Sequence, residues 1–158
     1  MVDIENLSAE QKKKLKARII KWRDDPFLFC KDVLGIDSHW SKQIEVMRAV
    51  AKYKKVTVPS GHDIGKSFVA ADIALWFLQC YPDSIVITTA PTWRQVEKVL
   101  WGEIRSHFYK SKVPLSGQPL ETEIKIGPKW YAIGFSSDAA DAFQGFHEKH
   151  VLIIVDEA

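Results

Sequence analysis

Residues 56–67, VTVPSGHDIGKS, limit what this chain can fold into more than any other stretch. Val56, Thr57 and Val58 are apolar or β-branched and read as a strand ended by Pro59. A polar loop then closes on Gly65, Lys66 and Ser67, and the apolar run over 68–80 is long enough for a helix. Strand, loop and helix in that order are the setting a phosphate-binding loop needs. Unpaired backbone N–H groups and the helix dipole at a helix N-terminus both favour an anion. Gly65 lets the backbone come close to a phosphate, Lys66 reaches toward the terminal phosphates, and the Ser67 hydroxyl is placed for Mg²⁺. The common spacing G-x-x-x-x-G-K-[ST] has glycine where Ser60 stands here, with Gly61 next to it. The nucleotide-contacting set is therefore Ser60, Gly61, His62, Asp63, Ile64, Gly65, Lys66 and Ser67, against the plainer reading of an ordinary turn.

The last eight residues, VLIIVDEA, supply the second half of such a site. Five apolar residues predict a strand buried on both faces, as parallel strands are. Open α/β sheets bind ligands at the carboxyl ends of their strands. Asp156 is then a second Mg²⁺ ligand, and Glu157 a catalytic carboxylate that orients or deprotonates water beside Lys66. Alone, the pair also fits a strand that runs out of a core into solvated acids.

A chain of 158 residues with 46% apolar and 27% charged residues has material for one globular domain. The net charge of +2 does not by itself demand nucleic acid. Cys30 and Cys80 lack CxxC spacing and read as buried free thiols in a reducing compartment, and no run is apolar enough for a membrane span. Ser8 and Gln11 form a capping box for a first helix, with Leu15, Ile19 and Trp22 on one stripe. Lys12, Lys13, Lys14, Lys16, Arg18, Lys21 and Arg23 surround that stripe, either as a solvated face or as a surface for DNA phosphates or a partner protein. A second helix starts at Asp25 and Pro26 and ends at Gly35, and a third runs over about 41–53. At its start, the Gln43 amide offers the donor and acceptor that an adenine edge needs, and Trp40 is placed to pack on the base.

Residues 84–89 read as a second buried strand. Thr92 and Gln95 cap a helix with a stripe of Val96, Val99, Leu100, Ile104 and Phe108. Thr92, Trp93, Arg94 and Gln95 fall at the functional edge or form a plain helix cap. Residues 121–126 and 130–135, around Gly127 and Pro128, form a hairpin that extends the sheet antiparallel. His147 and His150 lack the spacing of a metal pair and read as loop histidines.

WxxQ at Trp40 and Gln43, SGHDIGKS, TTAPTWRQV, FQGFH and IIVDEA, in that order, resemble the ATPase domain of large terminase subunits, the DNA-packaging motors of tailed bacteriophages and prophages. The resemblance covers residues 25–158 and leaves residues 1–24 as a separate basic helix. It implies a RecA-like (ASCE) α/β P-loop NTPase with a mainly parallel sheet flanked by helices, incomplete at its carboxyl end. It also implies Mg²⁺-dependent ATP hydrolysis that drives double-stranded DNA into a procapsid in the cytoplasm of an infected bacterium. The implied partners are DNA backbone, a portal protein and a small terminase subunit, with a homo-oligomeric ring at work and a monomer in isolation. Carried over by position, Gln43 reads adenine, Lys66 holds phosphates, Ser67 and Asp156 hold Mg²⁺, and Glu157 is catalytic. His62 stands where the family often has arginine, and the family's coupling motif and nuclease domain have no counterpart here. The alternatives are a superfamily 2 helicase-like translocase and a nucleotide-binding interaction domain without turnover.

Overall fold

A computed structural model describes residues 4–61, 64–138, 145–146 and 148–156. A 3-10 turn, Ile4–Asn6, precedes helix α1 (Ala9–Asp24), which is capped as expected: the Gln11 N–H donates to Ser8 Oγ and the Ser8 N–H to Gln11 Oε1. Helix α2 (Pro26–Phe29) has Pro26 in its first turn. It widens into a π-helical segment, Cys30–Leu34, that stops at Gly35 with φ +75°. Helix α3 is Ser41–Lys52 and helix α4 is Lys66–Cys80. Strand β1 (Ser84–Ala90) follows, then a π-helical segment, Gln95–Leu100, that continues into helix α5 (Trp101–Lys110). Strands β2 (Gln118–Pro119), β3 (Glu123–Gly127), β4 (Trp130–Ser136) and β5 (His150–Val155) complete the described elements.

The five strands form one mixed sheet in the order β2-β3-β4-β1-β5. β1 is parallel to both neighbours, pairing Ile87 with Ile133 of β4 and with Ile153 of β5. β3 and β4 form the expected hairpin, which adds an antiparallel edge. All seven residues of β1 are buried, which suits a run of Ile, Val and Thr between two parallel neighbours. The helices share one core with Val86, Ala90, Ile124 and Ala132, and Leu152 and Ile154 pack against it.

Two expected strand properties differ from the structure. Val56, Thr57 and Val58 carry no sheet pairing, and Val58 is exposed. A short β-branched triplet gains stability only where a neighbouring strand pairs with it, and no described strand pairs with this one. β5 is not buried on both faces. It is the sheet edge, so Leu152 and Ile154 pack inward while Ile153 and Val155 remain 53% and 56% exposed.

The helix after β1 also differs in phase. Thr92 and Gln95 cap it reciprocally, and Val96, Leu100, Ile104 and Phe108 are buried, but Val99 is 46% exposed. The Trp101 N–H donates to the Val96 carbonyl, five residues back. Such a turn holds an extra residue, so the buried stripe passes from Leu100 to Trp101 and Val99 turns outward. The Trp101 indole N–H donates to Thr88 Oγ1 at 2.9 Å and fixes the helix on the centre of β1.

Candidate functional site

Helix α4 begins at Lys66, within residues 60–67. Gly65 is its N-cap with φ +78°, a left-handed conformation that costs an L-residue roughly 1–2 kcal/mol. A Cβ at Gly65 would also stand 2.6 Å from Gln43 Nε2. Glycine is thus favoured here by backbone angle, and the Gln43 amide lies against the loop at a distance where a Cβ would make it turn aside. Gln43 in turn accepts the Trp40 N–H through Oε1 at 3.2 Å, while the Trp40 side chain is exposed. The structure therefore brings Gln43 to the loop that the sequence placed some twenty residues away, with the Trp40 backbone hydrogen-bonded to it.

Lys66 and Ser67 occupy the first turn of α4, which contains no acidic residue. Lys66 Nζ donates to the Ser60 carbonyl at 3.4 Å, so the loop curls back over its own lysine. Ser67 Oγ donates to Asp156 Oδ2 at 3.3 Å across a sequence separation of 89. The Asp156 N–H donates to the Thr89 carbonyl at 2.8 Å, which holds the carboxylate at the carboxyl end of β1 and β5. A helix N-terminus, an ammonium group, a hydroxyl and a carboxylate thus converge at one end of the sheet. The hydroxyl and carboxylate oxygens are the hard donors that Mg²⁺ takes, and the helix terminus and lysine suit a phosphate. Gly61 and Ile64 are exposed in the same loop. His62 and Asp63, the catalytic candidate Glu157, and His147 lie outside the described residues. Trp93 and Arg94 are exposed just beyond the end of β1. His150 is the first residue of β5, with its ring 5.1 Å from that of Tyr81.

A concavity of about 470 Å³ lies elsewhere, on the hairpin, lined by Gln118, Leu120, Lys125, Ile126, Gly127 and Pro128. It has one charged side chain and no convergent polar set, so the charged end of the sheet is the better candidate on chemistry.

Behind α4 lies a polar cluster that motif reading passes over. Asp72 is fully buried, with Oδ2 2.6 Å from His39 Nε2 and Oδ1 2.8 Å from His107 Nδ1. Both imidazoles are also buried, and the Phe68 ring lies against each of them. A buried carboxylate is tolerated when its oxygens are satisfied, and two ring N–H groups do that here. The signal was present in the sequence: Asp72 is the one residue of charged type within the apolar run 68–80. Its partners come from the segment before α3 and from α5, too distant for spacing to connect them.

Comparisons with protein-family models, with curated proteins and with solved structures give no match.

Proposed function

We propose that this chain binds Mg-ATP and hydrolyses it, as the ATPase part of a large-terminase-like motor that moves double-stranded DNA. The observation that carries the reading is the 3.3 Å contact between Ser67 Oγ and Asp156 Oδ2, beside the glycine-capped N-terminus that bears Lys66. In this reading the α4 N–H groups and Lys66 receive the β- and γ-phosphates, Gln43 meets the adenine edge and Trp40 its face. Ser67 and Asp156 would hold Mg²⁺, which neutralises charge on the phosphate oxygens when bound. Glu157 follows Asp156 directly and would orient the attacking water. Phosphoryl transfer needs positioning and charge stabilisation more than covalent help, and these residues supply both.

The test is steady-state ATP hydrolysis with double-stranded, single-stranded or no DNA. Expected is Mg²⁺-dependent turnover raised by duplex DNA and lowered about 10²–10³-fold by Lys66→Ala. Stimulation by single strands alone would favour a helicase-like translocase. A second reading, nucleotide binding without turnover by this chain, rests on the unpaired segment before the loop. A loop that is not anchored to a strand can bind phosphate and still misplace it for reaction. ATP binding that Lys66→Ala removes, with no hydrolysis under any of these conditions, would establish that reading instead.

A further inference from the structure

We propose that Cys30, His39 and Asp72 form a buried binding site for a transition-metal ion, and that the ion is Zn²⁺. One potential ligand atom from each residue lies within 4.8 Å of the other two, and all three residues are buried. Thiolate, imidazole and carboxylate are the donor types that Zn²⁺ takes in proteins, whereas Mg²⁺ and Ca²⁺ take oxygen. The charges balance: thiolate and carboxylate carry two negative charges, the ion two positive, and the imidazole is neutral. The cluster thus becomes neutral inside an apolar core, where an unbalanced charge is costly. Binding sends the Cys30 thiol proton to solvent and moves the His39 proton from Nε2 to Nδ1, so one proton leaves per ion, and the 2.6 Å contact between His39 Nε2 and Asp72 Oδ2 opens to admit the ion.

The surroundings support this assignment. His107 Nδ1 holds Oδ1 of Asp72 at 2.8 Å and leaves Oδ2 for the ion, the arrangement by which an outer residue orients a ligating carboxylate. The Phe27 and Phe68 rings lie 5.7 Å from the His39 ring and wall the cluster with apolar surface. Met47 Sδ is 3.9 Å from Cys30 Sγ and adds a soft neighbour. The cluster is distinct from the Ser67–Asp156 pair, so the two proposals stand or fall separately.

The experiment uses the full chain, freed of metal and refolded with one equivalent of Co²⁺ as a spectroscopic stand-in for Zn²⁺. Expected are a thiolate-to-cobalt charge-transfer band, its loss on adding Zn²⁺, and release of a proton per ion bound. Cys30→Ser should abolish the band and Cys80→Ser should keep it. Asp156→Asn should keep it too, since that oxygen site has no sulfur to produce it. His107→Phe should weaken metal affinity about 10–100-fold. Where Cys30→Ser does not fold, the wild-type chain decides: no charge-transfer band and no zinc retained after dialysis would overturn the assignment. A band that survives Cys30→Ser would overturn it as well.

Discussion

At the residue scale, the site depends on Gly65 and on the way Gln43 fills the space a side chain there would need. Gly65→Ala introduces left-handed strain and a close contact with Gln43, so stability should fall by roughly 1–3 kcal/mol. Gln43→Ala removes the contact but not the strain. The double variant should therefore be more stable than the sum of the two single losses, and chemical denaturation of all four proteins checks this. Strict additivity would show that Gln43 does not rest on the loop. The cysteines give a second prediction. In the metal-free chain, burial pushes the Cys80 thiol up from 9.0 to about 12, an effect that Arg23 partly offsets, and burial also pushes Cys30 up. A raised thiol pKa means that the folded state keeps a proton the unfolded chain has released. Stability is then fully present below pH 9 and declines as pH rises toward 12, by up to about 1.4 kcal/mol per pH unit for each thiol. Denaturation from pH 8 to 11 should show this decline, and Cys80→Ala should reduce its slope.

At the scale of elements, the π-helical segment Gln95–Leu100 decides which side chains enter the core. A regular α-helical stripe includes Val99, whereas the wider turn buries Trp101 and turns Val99 to solvent. Val99→Ser should therefore change stability by less than about 0.5 kcal/mol. Trp101→Ala should cost about 3–5 kcal/mol, since it removes a fully buried ring and its bond to Thr88. Reversed magnitudes in a thermal or urea melt would mean that the helix keeps a regular phase. Helix α4 is a different case, because nearly every face of it is buried. Its apolar length was evident from residue order, but the three-element tie at Asp72 was not.

At the scale of the whole molecule, α1 is joined to the domain at its carboxyl end, with Leu15 and Ile19 half-buried and its lysine-bearing face exposed. The Trp76 indole donates to the Trp22 carbonyl at 2.6 Å, and Arg23 Nε donates to the Cys80 carbonyl at 2.7 Å with its guanidinium over the Tyr81 ring. Arg23 therefore serves packing and leaves the basic surface to Lys12, Lys13, Lys14, Lys16, Arg18 and Lys21, all exposed. Lys14 is also paired with Glu10 at the surface. If this face follows DNA phosphates, each lost contact should lower the slope of log affinity against log salt by about 0.9 and leave sequence preference unchanged. Replacing Lys12, Lys13 and Lys16 by Gln, then titrating duplexes of different sequence at several salt concentrations, measures it. An unaltered slope would assign α1 to a solvated face.

Residue order alone determined the helices, the hairpin, β1, and the identity of Lys66, Ser67 and Asp156 as candidates, because each rests on local chemistry: caps, periodicity, and β-branched runs bounded by Pro and Gly. Tertiary structure decided what depends on neighbours. It left Val56, Thr57 and Val58 unpaired, since strand propensity yields little without an adjacent edge. It placed β5 at the rim with Ile153 and Val155 exposed, a property of strand order and not of the strand. It closed Ser67 on Asp156 across 89 residues. It also gathered Cys30, His39, Asp72 and His107, whose separations in the chain follow no motif and whose proximity comes only from packing the π-helical segment Cys30–Leu34, the segment that precedes α3, and helices α4 and α5 around one buried carboxylate.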